Sequence, residues 1–410
     1  MARPLLDLTR TLARASRLAP GSIDRVERAW TRRLAADPAA RFLISAGPRH
    51  VLLDGAGALA LSDALEGREA LPPADLRAAF SPWRTERQRR GDSLARRLAV
   101  AQGDALSALL ASEGGSWTYL NLAQAQLDAR RLADLRAGGV VRAVAMLHDL
   151  VALERPDLAR PAEPTRLLGV LAAAELCDAV AYASPETAAL AEAHMERAPP
   201  AVVAPPGLTP LPAPGPAALA PAATDGFVML GALEPRRNHL SMLWIWQRLW
   251  QELGEAAPKL FILGRRAVGS DTVQDALERA PMAGRAVFER RDLPDAEVAA
   301  HLANARALLA PSHAEASGLP AAEALALGCP VIAADLPAFR AVGGDAPDYL
   351  DPLDLPAWIE QILAYAAPPA EGPDPRAAQL ARLADWRAPG WDAHFAAVEA
   401  LLDPARAPAG

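Results

Sequence analysis

Cysteine is nearly absent from this 410-residue chain, with only Cys177 and Cys329, far apart in apolar surroundings. Two such residues cannot build a disulfide framework or a thiolate metal cage, and both are expected to be buried free thiols. Hydrophobic residues make up 51% of the chain, yet no apolar run approaches the roughly 20 residues of a membrane-spanning helix. A soluble protein with a large buried core is therefore expected. The opening stretch MARPLLDLTRTLARAS spreads arginines where a secretory signal would have a compact apolar segment, so a cytoplasmic location is expected. Lysine occurs once, at Lys259, against 41 arginines. A skew that general means that no single arginine argues for guanidinium chemistry by itself. Aromatic-interleaved basic motifs are also missing, which argues against a nucleic-acid partner.

The net charge of −7 hides an asymmetry: residues 1–100 carry 18 Arg against 11 Asp and Glu, and the acidic excess lies in the remainder. The densest basic run, SPWRTERQRRGDSLARRL at residues 81–98, holds Arg84, Arg87, Arg89, Arg90, Arg96 and Arg97. It reads as a solvated helix face, or as a surface for an anionic membrane or a phosphate-bearing acceptor.

The length favours two domains. Closely spaced prolines at residues 198–226 forbid helix interiors and central strands and mark a break between them. The expected organisation is a first domain over residues 1–200, a Pro-rich linker over 201–225, a second domain over 226–385 and a final segment over 386–410. In the first domain, strands are predicted at residues 41–44, 50–53 and 140–147. A helix at 22–34 places Ile23, Val26, Trp30 and Leu34 on one face, with Arg25, Arg28, Arg32 and Arg33 off it. After the linker, strands at 227–233, 259–264, 307–311 and 329–335 alternate with helices at about 238–253, 294–304 and 320–327. That alternation predicts an α/β fold with a parallel sheet covered on both faces, whose ligands bind beyond the carboxyl ends of the strands.

The stretch PSHAEASGLPAAEALALGCPVIA, residues 311–333, carries Glu315 and Glu323 on either side of a Ser-Gly-Leu-Pro turn. Pro320 suits the first helical position and Gly328 the residue just past the end. The amides of Ser317, Gly318 and Leu319 then lie near a helix N-terminus, a favourable place for a phosphate. Carboxylates accept hydrogen bonds only, so the two glutamates suit hydroxyls flanking a diphosphate, ribose on one side and a sugar on the other. A loop charge and a solvated helix residue are the plainer alternatives.

In GALEPRRNHL, residues 231–240, Arg236 and Arg237 sit at a turn after the first strand of the second domain, able to aim a cation at the same diphosphate. In VVRAVAMLHDLV, His148 and Asp149 follow a β-rich run directly and so stand at a strand's carboxyl end. DGAGALA at residues 54–60 fits a dinucleotide-binding pattern only formally, since the run before it is short and no confident acidic partner stands about 20 residues on.

Together these segments resemble the retaining glycosyltransferases of family four, whose GT-B architecture sets two Rossmann-like domains face to face with the active site between them. The resemblance runs through GSIDRVERA (residues 21–29), HDLVALERPDLARP (148–161), Ala183-Ser184-Pro185-Glu186-Thr187, GALEPRRNHL, LGRR and EASGLPAAEALALGCPVIAADLPAFRAVGGDAPDYLDPLD (315–354). WRAPGWDAHFAAVEALL, residues 386–402, is similar to the C-terminal helix that crosses back to the first domain.

The resemblance implies a hexosyl transfer from a nucleotide-diphosphate sugar to a glycan or lipid-linked acceptor in polysaccharide biosynthesis, with retention of configuration and without metal or bound cofactor. By position, Glu323 would hold the ribose and Glu315 the donor sugar. Gly231, Arg236 and the amides of Ser317, Gly318 and Leu319 would lie along the donor. Arg237 would neutralise the diphosphate where relatives have lysine, and His148 would contact the sugar near the reacting carbon. Gly21 and Asp149 would lie on the acceptor side. Ala232 stands where relatives often have a second basic residue, and Asn121-Leu122-Ala123-Gln124 where they read more like Asn-Val-Gly-His. A nucleotide-sugar epimerase or hydrolase, and a non-catalytic sugar-nucleotide-binding partner, are the competing expectations. Peripheral contact with the inner face of a membrane through the Arg-rich domain is a further one.

Overall fold

The computed structural model describes residues 2–15, 21–46, 49–79, 83–212, 225–367 and 372–402. The chain forms two compact units: Met1–Leu150 with Thr165–Pro206 and Trp391–Gly410, and Val151–Pro164 with Gly207–Gly390.

The first unit is built on strands β1 (Arg3–Asp7), β2 (Arg41–Ala46), β3 (Arg49–Leu53), β4 (Ala101–Gly103), β5 (Trp117–Asn121), β6 (Val140–Leu147), β7 (Ala179–Tyr182) and β8 (Ala201–Val203). They lie in the order β4-β3-β2-β1-β5-β6-β7-β8. All pairings are parallel except that β3 runs antiparallel to both neighbours, so this sheet is mixed. Its core includes Leu6, Phe42, Ile44, Val144 and Met146 from the strands, with Val26 and Trp30 from the helix Ser22–Leu34.

The predicted linker is strand at its start: Ala201–Val203 pairs with β7. As an edge strand it has one free side, which tolerates a neighbourhood of prolines. Residues 213–224 of that stretch lie outside the described residues. The predicted continuous first domain is also interrupted, because Val151–Pro164 packs with the second unit. The helix Trp391–Ala400 belongs to the first unit, where the Trp30 indole N–H donates to His394 Nε2 at 3.0 Å and His394 Nδ1–H donates to the Ala204 carbonyl at 2.9 Å.

Two charged features of this unit differ from the amphipathic picture. On the helix Ser22–Leu34, Asp24, Arg25 and Glu27 are buried. Arg10 pairs with Asp24 at 2.6 Å and reaches Glu27 at 3.8 Å. Burial, reinforced by the negative charges of Asp24 and Asp7 and opposed by Arg10, pushes Glu27 up to about 8. In the Arg-rich run around the helix Glu86–Arg97, the half-buried and exposed guanidinium groups also make hydrogen bonds within the unit. Arg96 chelates Asp75 and Arg84 meets Asp92 at 3.1 Å, while Arg87, Arg90 and Arg97 donate to the carbonyls of Leu65, Pro72 and Pro73. Carbonyl partners satisfy hydrogen bonds without cancelling charge.

The second unit carries an all-parallel sheet of β9 (Phe227–Leu230), β10 (Leu260–Leu263), β11 (Val287–Arg290), β12 (Ala307–Ala310), β13 (Val331–Ala334) and β14 (Asp348–Leu350). The order is β11-β10-β9-β12-β13-β14. Alternate residues of β9 enter opposite cores: Phe227 and Met229 pack with Trp246 of the helix His239–Leu253, Val228 with Ala321 and Leu325 of the helix Leu319–Ala326. Burial on both faces explains why these strands read as short apolar runs. Trp246 is fully buried and stacks edge-on against Phe227, whereas Trp244 is 54% exposed. From β9 the chain winds outward through β10 and β11, then returns to place β12 beside β9. This reversal is the switch point at which open α/β sheets bind ligands.

Candidate functional site

Two loops leave the carboxyl ends of β9 and β12 at that switch point. The first, from Gly231, contains a 3₁₀ turn at Pro235–Arg237 closed by Asn238 in the left-handed conformation (φ 59°). The second runs from Pro311 to the helix Leu319–Ala326. They are stitched together: Asn238 Nδ2 donates to the Pro311 carbonyl at 3.1 Å, and the His313 N–H donates to the Arg236 carbonyl at 2.7 Å.

Across this seam Arg237 Nη1 lies 3.3 Å from Glu315 Oε2, and Arg236 Nε donates to Glu234 Oε2 at 3.0 Å. Glu315 also accepts from the amide of Ala316 at 3.1 Å and lies 3.5 Å from that of Ser317. Burial works to raise the Glu315 carboxyl, but Arg237, Arg236 and those two amides outweigh it and hold the group below its ordinary range. The same contest, burial against Arg236 and Arg237, ends with Glu234 lowered as well. The result is an alternating cluster of two guanidinium groups and two carboxylates.

Gly231 has φ 130°, and a Cβ there would sit 2.8 Å from the Arg237 guanidinium carbon. The glycine makes room for that cation. Beside it, burial and the Arg237 charge push His239 down to about 3, leaving it neutral. Arg237, His239, Ser312, Pro320 and Phe339 line a narrow cavity beneath the two loops.

The helix starts one residue earlier than its proline suggested: Gly318 is the N-cap and Leu319 the first residue, so Pro320 is second. Gly318 adopts φ 59°, and a Cβ on it would meet the Ala338 carbonyl oxygen at 2.6 Å. Both facts demand glycine, so the structure needs it here apart from any ligand. Glu323 lies in the first turn and a half, 7% exposed rather than solvated. Glu315, Arg236, Arg237, Gly231, Ser317, Gly318, Leu319 and Glu323 are thus gathered around the two loops and the helix that follows. Glu234, Asn238 and His239, which the sequence reading passed over, belong with them and lie within the same GALEPRRNHL segment.

In the first unit His148 follows β6 directly and is 5% exposed. Its ring Nε2 lies 2.8 Å from the Leu122 carbonyl, which can only accept, so Nε2 carries the proton. Burial pushes its pKa down to about 4 against the opposing pull of that carbonyl, leaving the imidazole neutral. Asp149 turns the chain there, its N–H and carbonyl both bonded to the Gln124 side chain. Gly21 is the N-cap of the helix Ser22–Leu34 in extended conformation, its N–H donating to Asp24 Oδ2 at 2.7 Å. The glycine-rich DGAGALA pattern is a helix start: Asp54 caps the helix Gly55–Glu66 by accepting from the Gly57 N–H.

Comparison with known proteins bears on this geometry. Residues 224–367 match the family model described as Glycosyl transferases group 1. The serotype-specific mannosyltransferase WbdA of Escherichia coli is 32% identical over 146 residues, 35% of this chain and 18% of that protein. The O-antigen chain mannosyltransferase B of Escherichia coli is 32% identical over 142 residues, 34% of this chain and 37% of that protein. The matches thus span well under half the length of either relative. Among solved structures, sucrose-phosphate synthase from Thermosynechococcus elongatus aligns over 98% of both chains with a TM-score of 0.62 at 16% identity, a likeness of fold. Residues 224–367, within the second unit, are thus similar to the Glycosyl transferases group 1 family, and the fold of the chain is GT-B.

Proposed function

We propose that this protein transfers a sugar from a nucleotide-diphosphate donor to a glycan or lipid-linked acceptor during the building of a surface polysaccharide, with retention of configuration and without a metal ion. The observation that carries this reading is the Arg237–Glu315 pair, held by two stitched loops at a sheet switch point beside a helix N-terminus. Separating a sugar from a diphosphate leaves negative charge on the departing phosphate, and preorganised cations and amides stabilise it as it develops. Arg237, supported by Arg236 and the amides of Ser317, Gly318 and Leu319, fills that role, which a divalent metal fills elsewhere. Glu315 receives hydroxyls of the donor sugar and Glu323 those of the ribose. A neutral His148 contacts the sugar, and Gly21 and Asp149 lie toward the acceptor. The similarity to mannosyltransferases makes mannose the first sugar to test.

The experiment is to incubate the protein with ADP-glucose, UDP-glucose, UDP-N-acetylglucosamine and GDP-mannose, with and without a mannose-terminated octyl glycoside or lipid-linked glycan, and follow nucleotide release. Release that requires acceptor supports transfer. Release without acceptor supports a hydrolase or epimerase, and binding without release supports a non-catalytic partner.

A second reading concerns location. Residues 76–98 hold seven arginines against two acids, and within them Leu76 is 81% and Trp83 96% exposed. Exposed apolar anchors in a cationic setting suit the headgroup layer of an anionic membrane.

A further inference from the structure

Gln124 and Gln126, after β5, both hold left-handed backbone conformations, with φ 51° and 52°. Glycine enters that region most easily, and a long side chain retained there points to a use for the side chain. Gln124 is 6% exposed. Its Oε1 accepts from the main-chain N–H of His148 at 2.7 Å and of Asp149 at 3.1 Å, and its Nε2 donates to the Asp149 carbonyl at 3.1 Å. One amide group therefore ties the segment after β5 to the segment after β6 with three hydrogen bonds. From a third element, Thr187 Oγ1 donates to the His148 carbonyl at 3.2 Å. The ring itself donates from Nε2 to the Leu122 carbonyl, two residues before Gln124. The main-chain N–H, the main-chain carbonyl and one ring nitrogen of His148 are all engaged, which leaves Nδ1 as the acceptor of a neutral ring.

We propose that Gln124 is a positioning residue of the transfer reaction, acting through His148: its amide fixes the His148–Asp149 main chain so that the imidazole keeps one placement and one tautomer. The proposal rests on the role given to His148 above. An amide of this length reaches both N–H groups at once, whereas a space-filling side chain of equal size reaches neither.

The test uses the full chain and whichever of the four donors above releases nucleotide. Displacing a reacting contact by about 1 Å costs up to 10²-fold, so Gln124→Met and Gln124→Gly are each expected to lower kcat roughly ten- to hundredfold. The donor KM is expected to hold within about twofold, since the groups proposed to hold the nucleotide and diphosphate are in the second unit. Gln124→Gly suits the left-handed backbone and guards against simple misfolding, and thermal unfolding of each variant checks it. Gln124→Glu keeps an acceptor for both amides and should retain kcat within about fivefold. In a His148→Ala background, neither Gln124→Met nor Gln124→Gly should lower kcat further.

Wild-type turnover in Gln124→Met, equal losses in the Met and Glu variants, or a full additional loss on top of His148→Ala would each overturn the proposal. Wild-type kcat in His148→Ala alone would remove the role of His148 and the positioning role with it. If no donor releases nucleotide, the transferase reading itself fails, and the assignment of Gln124 falls with it.

Discussion

Arg237 Nη1 stands 3.3 Å from Glu315 Oε2, with the carboxylate side chain 3% and the guanidinium 18% exposed. Removing the cation takes away a preorganised charge and strands a buried anion. Arg237→Ala is expected to lower kcat by roughly 10²–10³. It should also cost about 1–3 kcal/mol of stability, because a buried charged group loses its partner. Arg237→Lys keeps the charge but not the planar fork, and should hold turnover within about tenfold of wild type. Steady-state kinetics and urea unfolding separate the two effects. Wild-type turnover in the alanine variant would take Arg237 out of the mechanism.

The same pair predicts a pH dependence of stability. The Glu315 carboxyl titrates below its ordinary value of 4.5 in the folded chain, because Arg237, Arg236 and two amides outweigh burial. The unfolded chain takes up that proton first as pH falls. Glu315 therefore contributes stability that is fully present above about pH 4.5 and is lost as pH falls through the lower folded value. Unfolding temperatures of wild type and Glu315→Gln should converge between pH 5 and pH 3. A constant gap across that window would show that the carboxylate is not held down by its partners.

Much of the second unit was legible in the sequence. Its strands are buried on both faces, so FVML, LFIL, ALLA and VIAA stand out as apolar runs between helices. The strand Val287–Arg290 did not stand out, since VFER lies at a sheet edge and ends in an exposed arginine. In the first unit β1 was hidden by Pro4, a residue that argues against a central strand. The structure accommodates it because pairing with β2 begins only at Leu5. For the site, the residue types around Glu315 and Arg237 were readable as chemistry, but their direct pairing was not, because only the sheet order brings the two loops together. The Gln124 tie to His148 was further out of reach. It depends on a left-handed backbone at a non-glycine residue and on contacts across 24 positions, neither of which leaves a pattern in the chain.

Glu323 gives a prediction of a different kind. It lies on the helix Leu319–Ala326 near the loop seam, largely buried, and its proposed partner is the ribose of the donor. A contact of that kind is made equally in ground and transition states, so its loss should appear in binding. Glu323→Ala is expected to raise the donor KM and the Kd of the free nucleotide diphosphate about tenfold or more, with kcat changed less. Calorimetric titration with GDP and UDP checks the binding half of this statement. A variant that binds both nucleotides as tightly as wild type while losing turnover would reverse the assignment.

The last prediction concerns Trp83 and Leu76. Among the described residues no helix is long and apolar enough to cross a membrane, and the lipid contact proposed here is interfacial. Among the described arginines near these two side chains, Arg87 and Arg97 are bonded to carbonyls and keep their charge, while Arg90 also lies 3.9 Å from Glu86. A cationic surface of this kind attracts anionic headgroups within a Debye length of about 8–10 Å, and exposed indole and leucine side chains then add apolar burial. The protein is expected to cosediment with vesicles of phosphatidylglycerol and phosphatidylcholine but not with phosphatidylcholine alone, and binding should weaken with added salt. The double variant Leu76→Ser with Trp83→Ser should lose at least about tenfold in partitioning, as the removal of roughly two large side chains' burial implies. Its thermal stability should be unchanged, because both side chains are already in water. Equal binding by wild type and variant would assign the attraction to charge alone, and absence of binding to anionic vesicles would leave the basic surface to an acceptor.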